Sequence, residues 1–202
     1  MPGNTWNRLR YTAWAPFYDV VVGFHRQRRK SIAALGLPAR ARVVIVGAGT
    51  GLDLPWLPPD ARVLATDLTP AMLARARKRG HDGVTLAVMD GHRLGVGDAC
   101  ADAVVLHLIL AVIPDPVQCL REAQRVLKPG GRVAVFDKFL PDGRSASWPR
   151  RVAGAVSNLL VTSINRRLAD ILAAAGTGLV VESDRPAALG SFFRRVTLRR
   201  PA

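Results

Sequence analysis

Residues 43–51 read Val-Val-Ile-Val-Gly-Ala-Gly-Thr-Gly, and they constrain this chain more than any other stretch. Four apolar β-formers running into Gly47, Gly49 and Gly51 are expected to be a buried parallel strand that turns sharply into a helix, whose backbone N–H groups meet a ligand. Glycine allows the tight turn and lets a ligand approach the main chain. About 20 residues on, Val63–Thr66 forms a second apolar strand that ends in Asp67, a carboxylate placed to accept hydrogen bonds from ribose hydroxyls. The pair points to a nucleoside cofactor.

The rest of the chain alternates in the βαβ manner. Strands are expected at 42–46, 62–66, 84–88, 103–107 and 132–136, with helices at 70–79, capped by Thr69, and at 116–127. Each strand is apolar throughout, as a sheet covered on both faces requires. A further helix spans about 163–175 and stops at Gly176. The runs at 178–182 and 192–198 lie too close together for a crossover helix, so they should pair antiparallel at a sheet edge. Upstream, residues 4–35 read as two helical stretches broken near Ala15-Pro16, and 139–162 as a polar loop followed by a patchy amphipathic stretch.

With 202 residues the chain suits a single α/β domain. Residues 1–41 form an N-terminal amphipathic lid, 42–138 the cofactor core, and 139–202 an acceptor-side insertion with the terminal hairpin. Cys100 and Cys119 stand apart from other ligand types, so neither a zinc site nor a disulfide framework is expected. No signal-peptide pattern or membrane-spanning run is present.

The formal net charge is +14 at pH 7, and its distribution matters more than its size. Residues 1–42 hold eight basic and one acidic residue, 43–138 eleven and ten, and 139–202 ten and four. A neutral core between basic flanks points to an anionic partner met by the flanks. Trp6, Arg8, Arg10 and Trp14, then Arg28 and Arg29, interleave aromatic or apolar residues with cations, as do Trp148, Arg150 and Arg151. That composition suits interfacial membrane binding, with rings at the headgroup boundary and cations on phosphates. The plainer alternative is that the aromatics pack the helices onto the core.

A dinucleotide fingerprint would need glycine at position 52, where the chain has Leu52. The third glycine at 51 fits a methionine-bearing nucleoside better than a pyrophosphate. Together with Asp67, with Asp90 after the third strand, and with Leu127-Lys128-Pro129-Gly130-Gly131 before the fifth, residues 43–139 resemble the class I S-adenosylmethionine-dependent methyltransferases. The resemblance implies a Rossmann-like fold: a seven-stranded, mostly parallel sheet with an antiparallel edge hairpin and helices on both faces. It implies S-adenosyl-L-methionine as cofactor, S-adenosyl-L-homocysteine as product, and no metal. Gly47, Ala48, Gly49 and Gly51 would then lie under the methionine part, Asp67 with Leu68 at the ribose, and Met89, Asp90 and Gly91 beside the adenine. Ile45 departs from the acidic residue that the family often carries two positions before the first glycine, so contacts to the cofactor's amino group must come from elsewhere.

A narrower resemblance rests on residues 11–19, Tyr-Thr-Ala-Trp-Ala-Pro-Phe-Tyr-Asp, and on Val112-Ile113-Pro114-Asp115-Pro116. These are similar to the soluble bacterial phosphatidylethanolamine N-methyltransferases, although quinone-ring C-methyltransferases share much of the core. The resemblance implies methylation of a phospholipid amine, in succession towards phosphatidylcholine, by a monomer or weak oligomer. The enzyme would be cytoplasmic and peripherally bound to the inner membrane face. His107, at the end of the fourth strand, is expected either to face the methyl group and take the acceptor's proton or to be a structural or cofactor-packing residue. Tyr18 is expected to hydrogen-bond the acceptor or cover the cofactor, or else to be an ordinary helix aromatic, and Lys138 to pair with a lipid phosphate or simply to lie on the surface.

Nucleic-acid methylation would also use a basic surface. However, 106–110, Leu-His-Leu-Ile-Leu, lacks the Asn/Asp-Pro-Pro-aromatic element of amino-methylating nucleic-acid enzymes. A non-catalytic scaffold that binds the cofactor is the other class in play.

Overall fold

The computed structural model describes residues 23–140, 166–188 and 192–202. The elements in order are α1 (His25–Ala33), β1 (Arg42–Val46), a 3-10 turn (Leu54–Trp56), β2 (Arg62–Asp67), α2 (Pro70–Arg77), β3 (Val84–Val88), β4 (Ala101–His107), α3 (Pro116–Val126), β5 (Leu127–Lys138), α4 (Leu168–Ala175), β6 (Val180–Ala188) and β7 (Phe193–Arg199). They build one seven-stranded sheet in the order β3-β2-β1-β4-β5-β7-β6. The first five strands pair parallel, and β7 pairs antiparallel with both β5 and β6. The terminal hairpin therefore sits at the sheet edge, as the short link between its strands requires.

Strand alternation sorts the core into two faces. Val44, Val46, Val104, Leu106, Val133 and Val135 point towards α3 and α4 and pack with Leu120, Ala123 and Ile171. Val43, Ile45, Ala103, Val105 and Ala134 point the other way and pack with Ile32 of α1 and Ala76 of α2. The middle strands are buried on both sides. β3 is not: it is half-covered, and Val88 is exposed, because it is the last strand of the sheet on that side.

The expected helix after Gly51 is absent. The chain makes a 3-10 turn at Leu54–Trp56 instead. Pro55, Pro58 and Pro59 supply no N–H and cannot continue an α-helix, so the connection from β1 to β2 stays a compact loop.

Several boundaries also move, among them the end of α2 at Arg77 and the start of β4 at Ala101. Helix α3 ends at Val126 rather than Leu127, and β5 starts at once, because Lys128 precedes Pro129 and is driven to extended backbone. β6 runs on to Ala188, paired along β7, and its Pro186 is tolerated on an edge strand beside a register shift. The described part of the N-terminal helical region begins after Phe24, whose left-handed φ of 40° separates α1 from what precedes it. Of the expected helix at 163–175, residues 163–165 lie outside the described residues; Arg166 and Arg167 are not helical, and α4 covers Leu168–Ala175.

Candidate active site

The carboxyl ends of β1, β2 and β4, with the loops that follow them and β3, line a cleft that is partly open to solvent. Its floor is Val46, Gly47 and Gly49. Asp67, Leu68, Thr69 and Met72 form one wall, Met89, Asp90, Gly91 and His92 a second, and Leu108, Ile109 and Val112–Pro114 the third.

Two glycines let side chains of the cleft pack directly on its main chain. A Cβ on Gly47 would lie 2.7 Å from Ile109 Cδ1, and φ there is +71°, so a side chain is excluded by both space and backbone. A Cβ on Gly91 would lie 2.8 Å from Val46 Cγ1. Asp67 ends β2 at the rim of this cradle. Its Oδ2 accepts from the Gly49 N–H and its Oδ1 from the Thr69 N–H, each at 2.8 Å. These bonds fix the carboxylate at the rim of the cleft. Burial raises the Asp67 pKa, against the lowering effect of its backbone hydrogen bonds. Thr69 occupies the N-cap position of α2, but its side chain makes no capping bond.

The third wall is held from below. Asp137 Oδ2 accepts from the Ala111 N–H at 2.9 Å, and burial raises the pKa of Asp137. Arg166 donates to the carbonyls of Leu110 and Ile113, the latter at 2.8 Å. Leu108 turns the chain out of β4 with a left-handed φ of 58°, which a leucine adopts only under tertiary constraint. Across the cleft, His92 Nε2 accepts from the Asp115 N–H at 3.1 Å, so Nδ1 carries the proton and donates to Asp90 Oδ1 at 2.6 Å. The loop after β3 is thereby tied to the start of α3.

His107 does not face the cleft, which corrects its expected placement at the methyl group and cofactor and leaves the structural alternative. It shares strand parity with Ala103 and Val105, so it points towards α1, and its side chain is fully buried. Nδ1 lies 2.7 Å from Asp53 Oδ1 and Nε2 lies 2.9 Å from Ser31 Oγ. Asp53 Oδ2 accepts from Arg28 Nη1 at 2.7 Å. Burial alone would raise the Asp53 pKa. The positive charges of Arg28 and His107, and hydrogen bonds from both, override it and hold the carboxyl well below the usual range. Arg28 is therefore no surface cation: it is 3% exposed and joins α1 to the loop after Gly51. Arg29 is exposed.

Of the other expected site residues, Gly47, Gly49, Asp67, Leu68, Met89, Asp90 and Gly91 come together around the cleft. Ala48 and Gly51 lie beneath it, buried, and Gly51 is packed on Ala76 and Leu54. Ile45 is buried among the α1-side core residues. Lys138 sits at the end of β5, and burial lowers its pKa. Tyr18, Trp6, Arg8, Arg10, Trp14, Trp148, Arg150 and Arg151 lie outside the described residues. Sequence reasoning missed Met72, His92, Leu108, Ile109 and the 112–114 wall. His92 carried a readable signal through its place beside Asp90-Gly91, and 112–114 through the motif that continues to Pro116.

A doubly wound sheet with a glycine-floored cleft at its carboxyl ends and an acidic residue closing β2 defines the class I, Rossmann-like methyltransferases. Residues 44–135 match the methyltransferase domain family. A phosphatidylethanolamine N-methyltransferase of Cereibacter sphaeroides is 35% identical over 138 residues, which cover 65% of this chain and 68% of that protein. A malonyl-[acyl-carrier protein] O-methyltransferase of Hahella chejuensis and a ubiquinone/menaquinone biosynthesis C-methyltransferase of Acidiphilium cryptum are each 35% identical, over 61% and 57% of this chain. The chain spans about half the length of these two, 46% and 51%. An S-adenosylmethionine dependent methyltransferase from Mesorhizobium loti shares the fold with a TM-score of 0.66 and 22% identity, over 85% of this chain and 96% of that one. The chain belongs to the S-adenosylmethionine-dependent methyltransferase family.

The cleft fits that cofactor on its own geometry. Gly47 and Gly49 line it without side chains, the Asp67 carboxylate at its rim can accept from a diol, and the Leu68, Met72, Met89 and Ile113 side chains offer apolar walls to an aromatic base. Among the described residues no group of three or more His, Cys, Asp or Glu side chains is placed to hold a metal.

Proposed function

We propose that this enzyme methylates the primary amine of phosphatidylethanolamine at an anionic membrane surface, in succession towards phosphatidylcholine. The observation that carries this reading is the similarity to the Cereibacter sphaeroides phosphatidylethanolamine N-methyltransferase, the relative of which this chain spans 68%. The basic flanks of the sequence support it, since they suit a substrate held in a charged bilayer. Peripheral attachment to the inner membrane face through the N-terminal segment belongs to the same reading.

Bound S-adenosylmethionine would supply an activated sulfonium methyl. Gly47, Gly49 and Asp67 would hold and orient it at the floor of the cleft, and Leu108, Ile109 and Val112 would exclude water from the reacting end. A primary ammonium has a pKa near about 10.4, so the acceptor must lose a proton before it attacks. His107 is fully engaged with Asp53 and Ser31 and is not exposed to the cleft, so the proton is assigned to water at the open side rather than to that ring.

Incubation with labelled S-adenosylmethionine and, separately, phosphatidylethanolamine liposomes, a demethylated quinone and a malonyl thioester decides the acceptor. Label in the phospholipid supports the proposal. Label in the quinone or thioester alone overturns it.

A further inference from the structure

The edge hairpin places two arginines directly opposite each other, Arg185 of β6 and Arg195 of β7, and Arg195 in turn opposes Phe136 of β5. Opposed residues share a face, so all three belong to the α1 side of the sheet, where Phe136 packs against Phe24 just before α1. Burial, and the positive charges of Arg185 and of Arg26 in the first turn of α1, lower the proton affinity of Arg195.

Like charges directly opposite each other in an antiparallel pair cost stability, and a neighbouring acid would normally offset them. The acids of this hairpin are committed elsewhere. Glu182 accepts from Arg132 at 2.7 Å, and Asp184 accepts from Arg194 at 2.8 Å. Among the described residues no ion pair reaches Arg26, Arg185 or Arg195. Arg195 Nε is buried without a hydrogen-bond partner, whereas Arg26 and Arg185 are exposed. Leu108, which lines the cleft, packs with Phe136 and Phe193, and Phe136 lies opposite Arg195 in the sheet.

We infer that Arg26, Arg185 and Arg195 form a phosphate-binding subsite that holds the phosphodiester of the acceptor headgroup, an inference that rests on the phospholipid reading above. Planar guanidiniums from three elements suit the several oxygens of one phosphate, and a single anion would relieve the repulsion among them. The same chemistry would accept free inorganic phosphate, so the test separates the two sources.

Thermal unfolding of the full chain is followed in sodium phosphate and in sodium chloride at matched ionic strength, for the native sequence, Arg26→Gln and the double variant Arg185→Gln/Arg195→Gln. Phosphate should raise the native Tm beyond chloride, and both variants should lose the increment. Arg26 is exposed, so its variant reports even if the double variant folds poorly. Soluble glycerophosphoethanolamine should displace phosphate in calorimetry, and the KM for phosphate-bearing acceptor should rise about tenfold in Arg26→Gln while S-adenosylmethionine affinity holds. Equal increments in phosphate and chloride, or increments retained by the variants, overturn the subsite. Phosphate binding that glycerophosphoethanolamine does not displace overturns the headgroup assignment. Headgroup binding without label entering phosphatidylethanolamine supports the subsite and defeats the N-methyltransferase reading instead.

Discussion

His107 Nδ1 lies 2.7 Å from Asp53 Oδ1, in a buried network that also ties Arg28 and Ser31 of α1 to the loop beneath the cleft. The carboxylate links three elements that are far apart in sequence: α1, the loop after Gly51 and the end of β4. Removing it strands a buried guanidinium. Asp53→Ala should cost about 3–5 kcal/mol of stability, read as a lower denaturant midpoint with an unchanged slope.

The same carboxyl sets an acid limb. Asp53 is held below its unfolded value of 3.8, so its contribution is fully present above that pH and is lost as pH falls below it. Unfolding free energy measured from neutral pH down to about 3 should decline steeply at the acid end, and Asp53→Asn should flatten that decline. A variant with the native acid limb would show that the limb arises elsewhere.

Asp67 is the single residue on which cofactor binding should depend most. Asp67→Ala is expected to abolish S-adenosylmethionine binding by calorimetry while the circular dichroism spectrum persists; unchanged affinity would refute its role at the ribose. Its pKa is raised by burial, and protonation turns an acceptor oxygen into a donor. Cofactor affinity should therefore fall on acidification, starting above the ordinary aspartate value of about 3.9.

Gly47 and Gly80 separate crowding from backbone strain. Both have left-handed backbones, φ +71° and +60°, but a Cβ meets Ile109 at the first and nothing within 4 Å at the second. Gly80→Ala should cost about 1 kcal/mol and leave cofactor affinity intact. Gly47→Ala should cost more and lower the affinity at least tenfold.

Arg28 and Arg29 are adjacent and should fail in different ways. Arg29→Glu, at an exposed position, should weaken sedimentation with anionic liposomes in a salt-sensitive manner while the fold is kept. Arg28→Glu places a second carboxylate against Asp53 in a buried site and should unfold the protein instead.

The sequence by itself determined the sheet and the cofactor end of the cleft. Strand positions follow from apolar runs bounded by glycine and proline. The glycine floor and Asp67 lie within one strand-loop-strand span, where spacing along the chain sets distance in space. Proline also decided the turn after Gly51, although the glycine pattern alone pointed to a helix. Tertiary structure decided what depended on which face a residue takes and on contacts between distant segments. The direction of His107 followed from strand parity and from the arrival of Asp53 and Ser31. The burial of Arg28 followed from the packing of α1, and the 108–114 wall from Asp137 and Arg166 binding its backbone. Two opposed arginines became neighbours only because β6 and β7 pair in one particular register. Local chemistry is legible along a chain because it depends on neighbours in sequence, whereas a side chain's partners across the sheet exist only once the sheet has formed.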